Sequence, residues 1–297
     1  MQKTLFGITL IILVGIPATA FAQEISFGQP AVQTVKITIS ENGDAHVTHI
    51  VDPSTQSRQL DLIRDDFTNL QVTDEDGNSP QYAETGGEKY SLLIFPTDNK
   101  VFVDYDLKDA VTQRDDLWTW DYLYLASTQF YLPEQVELVF LNENPLNFVG
   151  QKGINCHGCD LTLEYELKTT QTTKQIQWED KKFDLTIITQ ADIQSVEFDQ
   201  PAKSLSFEVN ETDEYITLII PLELLWNPYE VFLNGEKIQK HEFYSDGTNV
   251  WLNFKPKQTG TIEIVGVSAV PEFPLMGILV LGVAMVFAAK FGKFSRR

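Results

Sequence analysis

Apolar and polar residues alternate with a period of two through most of this 297-residue chain, and that period predicts β-strands. Val35, Ile37 and Ile39 interleave with Thr34, Lys36, Thr38 and Ser40. Asn42-Gly43 is a hairpin signal, and residues 45–51 supply the return strand. Leu60-Asp61-Leu62, Leu70 with Val72, residues 90–95, the set Val101, Val103, Tyr105 and Leu107, residues 136–141, and the set Leu161, Leu163, Tyr165 and Leu167 continue the pattern. Residues 127–134 are expected to form a turn or short helix. Residues 168–175, rich in Thr, Gln and Lys, have almost nothing to bury and mark a domain boundary; their threonines would also suit an edge strand.

The second half repeats the style. Leu185 with Ile187, Val196 with Phe198, and Leu205, Phe207 and Val209 alternate, as do residues 215–220. Asn234-Gly235 joins residues 230–233 to 236–238, Asp246-Gly247 precedes Val250, Leu252 and Phe254, and residues 262–265 are the expected last strand, ended by Gly266. No apolar period of 3.6 is sustained before residue 271. The expectation is an all-β protein of two antiparallel, immunoglobulin-like β-sandwich domains, 23–167 and 179–268, joined by a polar linker at 168–178.

The two ends break this pattern. Lys3 precedes an apolar run at 5–16, Pro17 interrupts it, and Ala20-Phe21-Ala22 is a small-x-small cleavage site. Residues 1–22 therefore read as a secretory signal peptide cut by signal peptidase before Gln23. At the other end residues 275–289 carry no charge and are followed by Lys290, Lys293, Arg296 and Arg297. As a helix this run rises about 22 Å, short of the ~30 Å hydrocarbon core, but Phe273, Pro274 and Phe291 extend it and the lysines can snorkel. Residues 269–297 are read as a transmembrane helix with a basic cytoplasmic end and the preceding domains outside the cell.

Charge fits that placement. Removing Lys3 and the four basic tail residues from the 22 leaves 17 against 42 acidic residues, a net −25 between the two signals. Such a surface repels nucleic-acid phosphate, so no nucleic-acid partner is expected; a solvated acidic exterior is.

Pro271-Glu272-Phe273, then a short apolar helix, then terminal basic residues, resembles the PEF-type C-terminal sorting signal of archaeal secreted surface proteins. The resemblance implies recognition by an archaeosortase, a membrane transpeptidase, with cleavage near the motif and transfer to a lipid anchor. Pro274 stands where many relatives carry glycine. The block Tyr215-Ile216-Thr217-Leu218-Ile219-Ile220-Pro221 with Val231-Phe232-Leu233-Asn234-Gly235 is similar to a module that often precedes that signal, which implies a surface role without naming a ligand.

Candidate chemistry is sparse. Cys156 and Cys159, in Asn155-Cys156-His157-Gly158-Cys159, are the only cysteines. Outside the cell this spacing is most simply a disulfide that staples the turn before the strand at Leu161, with a loop-entropy contribution of about 2 kcal/mol. A thiol-redox pair, or a copper or zinc site using both cysteines, His157 and a fourth ligand from elsewhere, are the alternatives. Trp118, Trp120, Tyr122 and Tyr124 share one face of a strand and form either core or an exposed platform for stacking glycan rings; the opposite face, Leu117, Thr119, Asp121, Leu123 and Leu125, is also largely apolar. His46 and His49, three apart, fall on opposite strand faces and are expected at the surface or a sheet edge; His241 is isolated. Residues 74–78, Asp-Glu-Asp-Gly-Asn, begin like a calcium loop, but Ser79 and Thr85 stand where an EF-hand needs glycine and an acidic residue, leaving an acidic β-turn, with weak calcium binding as the alternative. Asn210-Glu211-Thr212 is the single glycosylation sequon. No cofactor is expected. The chain reads as an exported, membrane-anchored, non-catalytic surface protein with a structural or adhesive role, its partners being envelope glycans or surface proteins. A glycan-binding module and an extracellular redox or metal-binding protein are the alternatives.

Overall fold

A computed structural model of the chain describes residues 28–86 and 89–269, and these are all-β, with no helix among them. The expected signal peptide at 1–22 and the sorting motif Pro271, Glu272 and Phe273 with its apolar run lie outside the described residues.

The first half is built of three sheets. The largest runs Ile154–Cys156, Ser127–Tyr131, Gln33–Ile39, Ala45–Val51, Val101–Leu107, Phe67–Asp74. A five-stranded sheet runs Asn144–Asn147, Leu138–Leu141, Cys159–Glu166, Leu117–Tyr124, Thr112–Arg114. A smaller sheet runs Gln29–Pro30, Arg58–Asp61, Ser91–Ile94, Tyr82–Thr85. Their inward residues share one core: Val35, Ile37 and Val47 from the first sheet, Trp118, Trp120 and Tyr165 from the second, Leu60 and Leu92 from the third. The period-two pattern thus reports burial directly, since alternate positions of Gln33–Ile39 are buried and exposed.

The hairpin at Asn42-Gly43 forms as expected. Gln33–Ile39 pairs with Ala45–Val51, with Ile39 opposite Ala45. The Gly43 amide donates to the Ser40 carbonyl at 3.1 Å, and Gly43 takes φ +85°. Asn234-Gly235 is a two-residue turn with φ of 52° and 81°, joining Glu230–Leu233 to Glu236–Lys237.

Four expectations about elements change. Residues 127–131 are a strand, not a turn or short helix, because Thr128 and Phe130 alternate into the core. That strand pairs parallel to Gln33–Ile39, so the half is not purely antiparallel; the long connection between the two supplies the crossover a parallel pair requires. The polar segment expected as linker, 168–178, is a strand from Gln171 onward, Gln171–Trp178, hydrogen-bonded along its length to Lys181–Ile188. Its threonines and glutamines serve an edge strand with one face in water. A short strand, Ser268–Ala269, follows Gly260–Val265 and pairs with Leu225–Trp226.

The second half has two five-stranded sheets: Gln171–Trp178, Lys181–Ile188, Ile216–Pro221, Asn249–Phe254, His241–Ser245, and Glu197–Asp199, Ser204–Val209, Gly260–Val265, Glu230–Leu233, Glu236–Lys237. Leu185, Leu218 and Leu252 from one meet Leu205, Val231 and Ile262 from the other in a second, separate core. Between the two cores lies a small apolar junction, where the Tyr215 ring stacks on Phe140 with centroids 3.5 Å apart, beside Leu138, Leu117 and Phe243.

Candidate functional site

The strand Leu117–Tyr124 places the residues from which a site can be built. Its aromatic face points inward. Trp118, Trp120 and Tyr122 are buried, with Trp118 stacked on Tyr165 and both Trp120 and Tyr122 set edge-on to Phe130. The glycan platform expected from Trp118, Trp120, Tyr122 and Tyr124 is therefore corrected: the opposing sheet covers these rings, and only Tyr124, at the strand's end, reaches a surface cleft. Two leucines of the opposite face are exposed instead, Leu123 by 68% and Leu125 by 86%.

Just past Tyr124 the chain turns from the five-stranded sheet into the six-stranded one. The cysteines make a second crossing beside it. Cys156 lies opposite Thr128 in one sheet, and Cys159 lies opposite Tyr124 in the other. The two form a disulfide with Cα atoms 5.7 Å apart, so the bridge staples the corner between the sheets, as the spacing suggested. Gly158 allows the turn with φ +61°. His157 does not join the cysteines; its Nδ1 is hydrogen-bonded with Ser127 Oγ across the corner. Cys159 is buried, which suits a structural bridge better than a reactive thiol.

The first of these crossings, through Tyr124, Leu125 and Ala126, forms one wall of a cleft of about 570 Å³, lined also by Val32, Gln33, Asp61, Lys89 and Leu123. Val32 is 59% exposed, so three large apolar side chains stand uncovered at its rim. The polar wall is held by a hydrogen-bonded relay that runs into the core. The Ile63 amide donates to Tyr105 Oη at 3.1 Å, and Tyr105 Oη donates to His49 Nε2 at 2.9 Å. His49 Nδ1 donates to Gln33 Oε1 at 2.7 Å, Gln33 Nε2 donates to Tyr124 Oη at 2.9 Å, and Tyr124 Oη donates to the Asp61 carbonyl at 2.6 Å. Every donor has one acceptor only if His49 is neutral with its proton on Nδ1. Burial enforces the same state, lowering the His49 pKa to about 3 and raising those of Tyr105 and Tyr124.

His49 corrects the expectation of a surface or sheet-edge histidine. It does lie on the face opposite to exposed His46, but fully buried, because it shares the inward phase of Ala45, Val47 and Val51. That phase is legible in the sequence and is the signal that finds it. His46 pairs with Asp106, its Nδ1 2.8 Å from the carboxylate. His241 lines a separate cavity of about 320 Å³ at the junction with Tyr215, Lys255 and Lys257. The acidic turn is a turn: Asp74 accepts the Asp76 and Asn78 amides at 3.0 and 2.8 Å, and these bonds lower its pKa. Asn210 is exposed and lines an acidic cleft at the junction. Among the described residues no group of three or more His, Cys, Asp or Glu side chains is placed to hold a metal ion.

No protein-family model matches this chain, and no curated protein matches it significantly.

Proposed function

We propose that this is an exported, envelope-anchored and non-catalytic protein whose all-β first half makes an adhesive or structural contact with another surface protein. The reading takes its location from the N-terminal cleavage signal and from the PEF-like tail, with the segment after Ala269 as the membrane helix or the segment exchanged for lipid. The observation that carries the binding role is the rim of Val32, Leu123 and Leu125 over a cleft of about 570 Å³. Exposed apolar side chains grouped beside a few fixed polar atoms are the usual composition of a protein-binding surface. An apolar side chain of the partner would enter the cleft that Val32 and Leu125 line, beside the polar side chains of Gln33 and Asp61. The acidic surface around it keeps the protein soluble and leaves the contact to the apolar rim.

Two measurements test this. Cell fractionation should recover the protein with the envelope and without residues 1–22; a cytosolic protein with those residues intact refutes the location. The double variant Leu123→Asp/Leu125→Asp should fold normally, since both side chains are exposed, and should lose retention on protein-coated envelope preparations by at least about tenfold. Unchanged retention refutes the contact.

A further inference from the structure

The outward face of Cys159–Glu166 carries two glutamates that ought to be in water. Leu163 and Tyr165 point into the first core, so Glu164 and Glu166 point away from it. Both are nonetheless buried, because the second half docks over them. Their surroundings differ. Glu164 accepts a hydrogen bond from Tyr215 Oη at 2.6 Å and sits 3.6 Å from Lys255 Nζ, which also lies over the Tyr215 ring.

Glu166 is only 6% exposed, and among the described residues its side chain is hydrogen-bonded by the neutral Gln190 and paired with no cation. Gln190 Nε2 donates to its Oε2 at 3.1 Å and also to the Lys168 carbonyl at 2.8 Å. The charges that face it are negative: Glu214 from the segment before Ile216–Pro221, and Asp116 from the turn before Leu117–Tyr124. Glu214 in turn faces Glu211, Asp115 and Asp116, with Lys255 as its one cationic neighbour. Burial and these carboxylates raise the Glu166 pKa to about 7, and burial raises that of Glu214. An acidic cleft of about 570 Å³, which holds Asp115, Asp116, Glu211 and Glu214, opens beside Gln190, so water has a route to the junction.

We infer that the junction between the two halves is a pH-sensitive hinge, closed while Glu166 is protonated and loosened when Glu166 ionises against Glu214 across the junction. The sign follows from linkage. A group whose pKa is raised in the docked state stabilises docking fully below its undocked value of 4.5, and that contribution is lost as pH rises through about 7. Each pH unit inside that window shifts the docking equilibrium by up to about tenfold, or on the order of a hundredfold in all. Tyr215 on Phe140, and Glu164 with Lys255, remain as the pivot, so the halves loosen without separating their chain.

The experiment is single-molecule energy transfer on the full chain in detergent micelles, with one fluorophore at the exposed turn position Gly77 and one at Gly235, each introduced as an unnatural amino acid. From pH 5 to pH 8.5 the distance distribution should shift and broaden with a midpoint near 7. Glu166→Gln should hold the acidic-pH distribution throughout, and Glu214→Gln, which removes one facing charge, should move the midpoint below the wild-type value. A distribution constant across the range overturns the hinge. So does Glu166→Gln with the wild-type profile or, should that variant not fold, Glu214→Gln with an unmoved midpoint.

Discussion

Gly43 offers the most direct test of how the first half is put together. It closes the first hairpin turn at φ +85°, and a Cβ built there would lie 2.5 Å from Trp118 Cζ3 and 2.5 Å from the Val111 carbonyl oxygen. Ordinary carbon contacts need about 3.5–4.0 Å, so the indole would have to move by roughly 1 Å. It has little room, being buried and stacked on Tyr165. The Val111 segment is no freer, because the Val111 amide donates to the Gly43 carbonyl at 2.9 Å. Gly43→Ala therefore meets two costs: about 1–2 kcal/mol for a left-handed L-residue, and about 1–3 kcal/mol for overpacking. Gly77 supplies the control. Its φ is +80°, but nothing lies within 4 Å of its Cβ position, so Gly77→Ala meets only the backbone cost. Urea unfolding followed by tryptophan fluorescence should place Gly43→Ala about 1–3 kcal/mol below Gly77→Ala, with a red-shifted or altered Trp118 signal. Equal destabilisation of the two variants would refute the claim that the turn is packed against the aromatic strand.

The remaining predictions concern the site. His49 is held neutral, so its contribution to stability is fully present above its unfolded value of 6.5 and is lost as pH falls toward about 3, by up to ~1.4 kcal/mol per unit. Measured against His49→Gln, which cannot titrate, wild-type urea stability should fall more steeply between pH 6.5 and pH 4; parallel profiles would count against the relay. This slope is opposite in sign to the one at Glu166, so the two groups are separable by the direction of the pH response. Replacing both cysteines by serine should cost about 2 kcal/mol and leave the fold intact, as checked by urea unfolding and circular dichroism. A loss of bound metal with that variant would revive the metal reading of the cysteine pair.

What the sequence discloses and what it hides follow from the range of the interactions involved. Alternation, glycine turns and the short cysteine spacing are local, and Val35 to Ile39, Asn234-Gly235 and Cys156 with Cys159 are legible for that reason. The strand Ser127–Tyr131 is harder, because its parallel partner Gln33–Ile39 is distant in the chain and no hairpin turn announces it. Gln171–Trp178 has too little apolar surface to look buried, and pairing with Lys181–Ile188 is what makes it a strand. The face of Leu117–Tyr124 is ambiguous because both sides are apolar, and only the opposing sheet decides which becomes core. The charge state of Glu166 is the least legible feature, since it depends on residues from three separate segments.

That ambiguous strand also supplies the strongest argument for a partner. Its outer face runs from Leu117 through Thr119 and Asp121 to Leu123 and Leu125. At one end Leu117 packs with Phe140 and Tyr215, under the docked second half. At the other end Leu123 and Leu125 have the same chemistry and no cover, and Val32 stands beside them across the cleft. Local propensity does not account for the two ends, because Thr and Asp serve the middle of the same face, where Asp121 accepts a hydrogen bond from Thr162. Nor does the first core require these leucines, since they point away from it. The covered end shows what an outward leucine on this strand does when a second surface meets it. The uncovered end, fixed in place by the disulfide corner and the relay from His49, is the basis on which we propose a docking surface whose other half belongs to another molecule.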